Sequence, residues 1–247
     1  GRFISTFLEL QKVMRRALLD YLCCPVDRGQ LHLNADEEAQ DGHVLEGRLK
    51  CLSCGTIYSI RRGVPRLLTG TLAGPESQTQ ERFGFEWQWY RNTNRVFGVE
   101  FWDYLKPLEV EDLCGKAVLD AGCGNGRFAI AAAAAGAKAV IGLDFSLSVE
   151  VAFEAARGVP NLHIVQGDIL KPPVKKEMDL IYSIGGLHHL ENPKGGFEKL
   201  VPYLAPGGTI AVWVYSKEGN EWFLRWVEPV RRVVTAKLPP ALVKILA

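Results

Sequence analysis

Hydrophobic positions fall into two regimes. From residue 116 onward, apolar runs of four to seven residues recur at 117–121, 139–144, 163–166, 178–184 and 209–215. They are nearly unbroken, as expected of parallel strands covered on both faces. Helical stretches separate them, at 128–135, 147–157 and 193–204, the last closed by Ala-Pro-Gly-Gly. Strand–helix alternation with right-handed crossovers predicts a doubly wound, mostly parallel α/β sheet. The N-terminal part reads differently. Phe7, Leu10, Met14, Ala17, Leu18 and Tyr21 are at helical spacing, predicting a helix over 5–21. Short alternating stretches at 30–33, 48–52 and 56–60 predict a small β-ribbon.

The pattern divides the chain into an N-terminal helix and ribbon (1–68), a linker (69–80), the α/β domain (81–220) and a C-terminal helical segment (221–247). The linker, TGTLAGPESQTQ, is rich in Gly, Ser, Thr and Gln. Phe83, Phe85, Trp87, Trp89 and Tyr90, with FWDYL at 101–105, predict helices that pack rings on the main domain or form a lid over its site. Trp222, Phe223, Trp226, Val230, Val233 and Val234 give the last segment a helical pattern.

Composition narrows the class. A 247-residue chain that is 47% hydrophobic is ordinary for a globular protein. A formal net charge of +1 argues against a strong field for nucleic acid or an acidic surface. No run approaches the roughly 18 to 20 apolar residues of a membrane helix. The N-terminus has no signal-like apolar core, so a cytoplasmic protein is expected. Four of the six cysteines cluster as Cys23, Cys24, Cys51 and Cys54, which suggests metal ligation in a reducing compartment rather than disulfides.

The candidate chemistry centres on VLDAGCGNGRF, 118–128. A strand that turns on glycines into a helix lets a ligand approach the main chain, and it predicts unpaired backbone N–H groups at the turn. The spacing is G-x-G-x-G at Gly122, Gly124 and Gly126, not the dinucleotide G-x-G-x-x-G, because Arg127 stands where the third glycine would fall. Asp144 ends the second strand about 20 residues later, where an acid in nucleotide-binding folds accepts ribose hydroxyls. Phe145 and Ser146 follow it, Ser146 being also a candidate helix cap.

The D-x-G-x-G-x-G pattern at Asp120, Gly122, Cys123, Gly124 and Gly126 resembles the first motif of class I S-adenosylmethionine-dependent methyltransferases, type 11-like. The resemblance implies a Rossmann-like sheet and S-adenosylmethionine as cofactor, with S-adenosylhomocysteine as product. It assigns Asp168 to the adenine amino group with Ile169 beside the ring, Ser183 and Ile184 to the methionine end, and Asp120 to the glycine turn or the methionine ammonium. His188 or His189 is the candidate general base, alongside a structural or substrate-positioning role. The resembled fold ends in two further strands, and none is legible before Ala247, which implies a truncated domain or a helical insertion.

The ribbon resembles the zinc-ribbon module of small methyltransferase co-activator proteins, through Cys24-Pro25, Gly29, Leu31, Cys51, Cys54-Gly55, Tyr58, Ile60, Gly63, Pro65 and Leu67-Leu68. Asp27 stands where the second cysteine belongs. Cys24, Asp27, Cys51 and Cys54 would hold zinc, with Cys23 as a substitute, or the ribbon has lost its metal. The function implied is methyl transfer to a small-molecule O or N acceptor, with no nucleic-acid partner. A ribosomal-RNA or other nucleic-acid methyltransferase with a zinc ribbon is the alternative, disfavoured by charge and by the lack of an Asn/Asp-Pro-Pro-aromatic sequence. A non-catalytic binding subunit is a third reading.

Overall fold

The computed structural model describes residues 14–39, 43–70, 97–175, 177–215 and 225. Two compact units divide the chain, 1–213 and 214–247. Of the second, only residues 214, 215 and 225 are described. The aromatic stretch at 83–90, most of the expected linker and nearly all of the expected C-terminal helix lie outside the described residues.

Among the described residues, the first unit is built on one nine-stranded sheet, ordered β1-β2-β3-β4-β7-β6-β5-β8-β9. Its strands are β1 Leu31–Glu38, β2 Val44–Cys51, β3 Ile57–Arg61, β4 Val64–Leu67, β5 Ala117–Ala121, β6 Ala139–Asp144, β7 Leu162–Gly167, β8 Met178–Ile184 and β9 Leu204–Trp213. The helices are α1 Phe97–Leu105, α2 Val110–Leu113, α3 Arg127–Ala134, α4 Ser148–Ala155 and α5 Pro193–Leu200. Strands β5 to β9 pair in parallel and form the doubly wound half. Strands β1 to β4 form an antiparallel ribbon.

The two halves share the sheet. Strand β4 pairs in parallel with β7 through Arg66↔Gln166 and Leu67↔Gly167. Arg66 reinforces the junction by donating to Gln166 Oε1 and pairing with Glu150 of α4. The apolar strand runs face two ways. Leu119, Ala121, Ile141, Leu143, Val165 and Ile181 pack on one face with Met14, Leu18, Leu22 and Leu200. Val118, Val140, Ile164, Leu180 and Tyr182 pack on the other with Phe101, Phe128, Ala132 and Val149. This period-two split inside continuous apolar runs is what burial on both faces requires.

Several expectations change. The helix over 5–21 is not found in its described part. Met14 exchanges both backbone hydrogen bonds with Val44, Arg15 is extended, and only Arg16–Asp20 forms a 3-10 turn. Arg15 is held by the carbonyls of Val159 and Leu162, so helical backbone gives way to tertiary contacts. The first two ribbon strands are longer than their alternation suggested. The parts beyond the expected stretches, 34–38 and 44–47, carry Asn34, Asp36, Glu37, Glu38 and Glu46, which read as loop. Helix α5 ends at Leu200, and Ala-Pro-Gly-Gly lies within β9, which crosses a register shift against β8. In α1, Phe101 is fully buried, with ring centroids 6.0 Å from Phe128 and 5.5 Å from Tyr182, so this part of the aromatic segment is core.

Candidate cofactor cleft and metal knuckle

Because β5, β6, β7 and β8 are parallel, their C-terminal residues Ala121, Asp144, Gly167 and Ile184 share one edge of the sheet. Gly122, Gly124 and Gly126 turn the chain there with φ of 93°, 52° and 81°, a region that side chains other than glycine enter at a cost. A Cβ on Gly126 would stand 3.0 Å from Ala152 Cβ, so α3 and α4 approach over it. A Cβ on Gly122 would stand 3.3 Å from Gly186 Cα and 3.4 Å from Ile169 Cδ1. The glycine turn, the turn after β8 and the start of the loop after β7 therefore converge on Gly122.

The turn does not leave a row of free donors, contrary to expectation. Gly122 and Cys123 N–H both donate to Leu143 O, and Gly126 N–H donates to Cys123 O. Gly124 N–H donates to Asp144 Oδ2 at 2.9 Å. Asp144 Oδ1 accepts from Ser146 N–H and Oγ–H, and Ser146 Oγ is shared with Ser148. The acid at the end of β6 thus clamps the glycine turn of β5. A carboxylate has about four acceptor directions, and three are filled.

Asp120 is 2% exposed. Burial is the main cause that pushes its carboxyl up to about 8; the negative charge of Asp144 adds to this and a hydrogen bond from Tyr182 opposes it. The Tyr182 hydroxyl lies close, yet neither it nor Asp120 Oδ2 completes a well-formed hydrogen bond. A buried carboxyl with one unpaired oxygen beside a side-chain-free turn suits a cationic group, whose approach would favour the ionised form. Cys123 is turned into the core against Gly142, and Ser183 Oγ–H is held by Ala121 O at 2.7 Å. These two side chains build the cleft rather than face it. Asp168 is half-buried and Ile169 buried just past β7. Phe145 is half-buried, its carbonyl fixed by Gln166 Nε2 at 2.9 Å. His188 and His189 lie in the 3-10 turn Leu187–His189 with ring centroids 4.1 Å apart, His188 half-buried and His189 exposed. Burial lowers the His188 pKa below the ordinary histidine value.

The ribbon brings a second set to the same edge. Strand β2 runs in the same direction as β4 and β7, so Cys51 at its end lies on the edge that carries Asp144 and Gly167. Donor atoms of Cys24, Asp27, Cys51 and Cys54 all lie within 4.8 Å of one another. Cys24 and Cys54 Sγ are 3.7 Å apart. Tetrahedral zinc with bonds of about 2.3 Å separates its sulfurs by about 3.8 Å, so the set fits that ion. Asp27 is held down to about 2, first by the Gly29 N–H, so it stays ionised. Cys54 is lowered by Thr56, while burial pushes Cys51 up to about 11. Tyr58 lies 3.1 Å from Cys24 Sγ, an outer contact of the kind that orients a ligand. A Cβ on Gly29 would stand 2.7 Å from Cys51 Sγ. Cys23 points away, donating to Val174 O, and does not join the set.

Comparison with known proteins places these features. Residues 118–208 match the family model described as a methyltransferase domain, and residues 15–63 match the model described as Trm112p-like protein. The tRNA U34 carboxymethyltransferase of Pseudoalteromonas translucida (strain TAC 125) is 29% identical over 174 residues, covering 66% of this chain and 53% of that protein. The enzyme of the same name from Klebsiella pneumoniae (strain 342) is 31% identical over 124 residues, covering 49% and 37%. A solved complex between the Haloferax volcanii Trm112 methyltransferase activator and a putative methyltransferase aligns with a TM-score of 0.49 at 23% identity, over 61% of this chain and 66% of that one. The chain spans about half the length, or less, of these curated relatives. Their names overturn two expectations, a small-molecule acceptor and the lack of a nucleic-acid partner. Net charge misled because it sums over the whole chain, including the Asp36, Glu37 and Glu38 cluster at the end of β1. Residues 118–208 thus form a methyltransferase domain of the class I S-adenosylmethionine-dependent type, and residues 15–63 form a Trm112p-like, zinc-ribbon-type module ahead of it.

Proposed function

We propose that this chain modifies a nucleoside of tRNA, a uridine such as that at position 34, by transferring a methyl or carboxy-substituted methyl group from an S-adenosylmethionine-type sulfonium. The observation that carries the reading is the likeness to tRNA U34 carboxymethyltransferases over the part of the chain that forms the cleft. The cleft suits the cofactor on its own terms. Gly122 leaves room that a Cβ would fill, and Asp120 Oδ2 is buried without a hydrogen-bond partner. In this reading Asp144 holds the ribose with its remaining acceptor direction, Phe145 lies beside the base, and Asp168 with Ile169 receives the adenine. Gly122, Gly124 and Gly126 admit the methionine end close to the main chain, toward Ile184.

Bound cofactor would supply an activated group on sulfur, so the protein's task is position and exclusion of water. His188, with its lowered pKa, is neutral at pH 7 and able to accept a proton from the attacking oxygen or nitrogen. His189 lies against it with the rings tilted by 46° and is open to solvent, placed to relay that proton outward. In the ribbon, Cys24, Cys51, Cys54 and Asp27 would hold zinc as a structural ion, on the edge where the acceptor must arrive.

The test is incubation of the full chain with unmodified tRNA transcripts and labelled S-adenosylmethionine or its carboxy derivative, followed by nucleoside mass analysis. A uridine nucleoside heavier by the transferred group is expected, abolished in Asp144→Ala. Label transfer to small-molecule acceptors but to no RNA would refute the proposal.

A further inference from the structure

The loop after β7 contains Lys171-Pro172-Pro173-Val174-Lys175, and Pro172, Pro173 and Val174 are buried. Two prolines remove two backbone donors, while three buried carbonyls still need partners. Residues next to the metal knuckle supply them. Cys23 N–H donates to Pro173 O at 3.0 Å. Arg28 Nη1 donates to Pro172 O at 3.0 Å, and Nη2 donates to Val174 O at 2.6 Å. Lys175 N–H donates back to Tyr21 O at 2.8 Å. The Arg28 guanidinium also lies 4.6 Å from the centre of the Tyr203 ring. Three separate elements therefore meet at one side chain.

Arg28 is itself fixed by the knuckle. It sits between Asp27 and Gly29 with φ of 68°. Its N–H donates to Cys24 O, and Cys24 N–H donates to Gly29 O, both at 2.9 Å. On the far side, the loop is stiff between the tether and Asp168. Leu170 N–H donates to Asp168 Oδ1, Lys171 N–H donates to Asp168 O, and Pro172 follows directly. A rigid path thus runs from the knuckle through one guanidinium and a short turn to the acid at the cleft.

We propose that Arg28 is a positioning residue for the cofactor, holding the loop after β7 so that Asp168 and Ile169 meet the adenine edge. The proposal rests on the reading that Asp168 takes the adenine amino group. A guanidinium suits the task because its planar fork reaches two carbonyls of one loop at once, which an ammonium cannot do in the same geometry.

The experiment measures binding of S-adenosylhomocysteine and of S-inosylhomocysteine, whose base carries a carbonyl in place of the amino group, to the full chain by calorimetry. Wild type, Arg28→Met and Arg28→Lys are compared. Wild type should prefer the adenosyl ligand. Arg28→Met should bind it roughly tenfold more weakly, hold the inosyl ligand nearly as before, and so lose most of the preference. Arg28→Lys should fall between, and it carries the test alone if Arg28→Met does not fold. A variant that keeps the wild-type preference would overturn the role of Arg28, and so would equal weakening of both ligands, which signals general loosening. Wild type without any preference would instead overturn the adenine reading at Asp168 on which the proposal rests.

Discussion

Replacing Asp120 with Asn should change how stability depends on pH, with a sign the structure fixes. In the unfolded chain this carboxyl ionises near 3.8; in the folded chain burial carries it to about 8. Between those values the folded state holds a proton that the unfolded state has lost. Stability contributed by Asp120 is therefore complete below about pH 4 and is lost as pH rises through about 8. A gap of about four pH units, at about 1.4 kcal/mol each, sets an upper figure of about 6 kcal/mol for an isolated group. Rotation of the neighbouring Tyr182 hydroxyl and entry of water reduce this, and about 2–4 kcal/mol lost between pH 5 and 8 is the expectation. Asp120→Asn keeps the shape and cannot ionise. Urea unfolding of both proteins at pH 5, 6, 7 and 8 isolates the effect, because other titrating groups largely cancel in the difference. The variant should gain on wild type steadily as pH rises. A difference that stays constant from pH 5 to 8 would refute the assignment of Asp120 as a buried, proton-holding acid.

His163 should act in the opposite direction: burial first, then the charges of Arg15 and His43, lower it to about 4, so the folded chain holds it neutral and loses stability as pH falls below the ordinary value of 6.5. His163→Leu should lessen that acid-side loss by about 1–3 kcal/mol in urea titrations between pH 7 and 4, and an unchanged profile would count against a neutral buried imidazole. Gly186→Ala has an ordinary φ of −92° but puts a Cβ 2.8 Å from Ser183 Oγ and 3.1 Å from Ala121 O. It should cost about 1–3 kcal/mol, a fall in Tm of roughly 2 to 10 °C, and weaken S-adenosylhomocysteine binding; wild-type melting and affinity would mean the two turns are not in contact. Elemental analysis of protein purified without chelator should find about one zinc per chain in wild type and in Cys23→Ser, and much less in Cys51→Ser. Metal-free wild type, or loss of metal from Cys23→Ser alone, would refute the ligand set.

What could be read from the sequence followed the strength of each local signal. Strands β5, β6 and β8 have the bounds their apolar runs predict, because each run stops at a glycine or an acid. Strands β1 and β2 were read short because Asn34, Asp36, Glu37 and Glu38 at the end of β1, and Glu46 and Gly47 at the start of β2, interrupt the apolar pattern. Strand β4 was not legible at all: four residues with a proline carry no period, and its partner Gln166 lies a hundred residues away. Asp144 could be found from its place at the end of an apolar run, whereas Asp120, inside the run 117–121, and Asp168 were reached only through the family resemblance. That Asp144 also clamps Gly124, or that Arg28 ties the knuckle to the loop after β7, depends on distant pairings that no local pattern encodes.

Strand direction explains why the knuckle and the cleft share an edge. Parallel pairing of β4 with β7 sets β4 running toward the cleft, and two hairpin reversals then set β2 running the same way. Cys51, at the end of β2, must therefore finish on the side where β7 delivers Gly167 and Asp168. Antiparallel docking of β4 would have sent the cysteines to the opposite edge, away from the chemistry. The ladder that enforces this choice is only two residue pairs long. Between separate chains, so short a ladder would have to offset an association cost of about 4–15 kcal/mol. Within one chain that cost is absent, and Met14, Leu18 and Leu22 packed against the sheet suffice to hold the register. Covalent continuity thus permits a junction small enough for one arginine to matter. It also predicts that shifting the register of β4, by inserting one residue before Val64, would separate the knuckle from the loop after β7 even with every ligand cysteine intact. The measurable result would be protein that retains its metal but binds S-adenosylhomocysteine weakly, and tight binding in that variant would show that the module's placement does not govern the cleft.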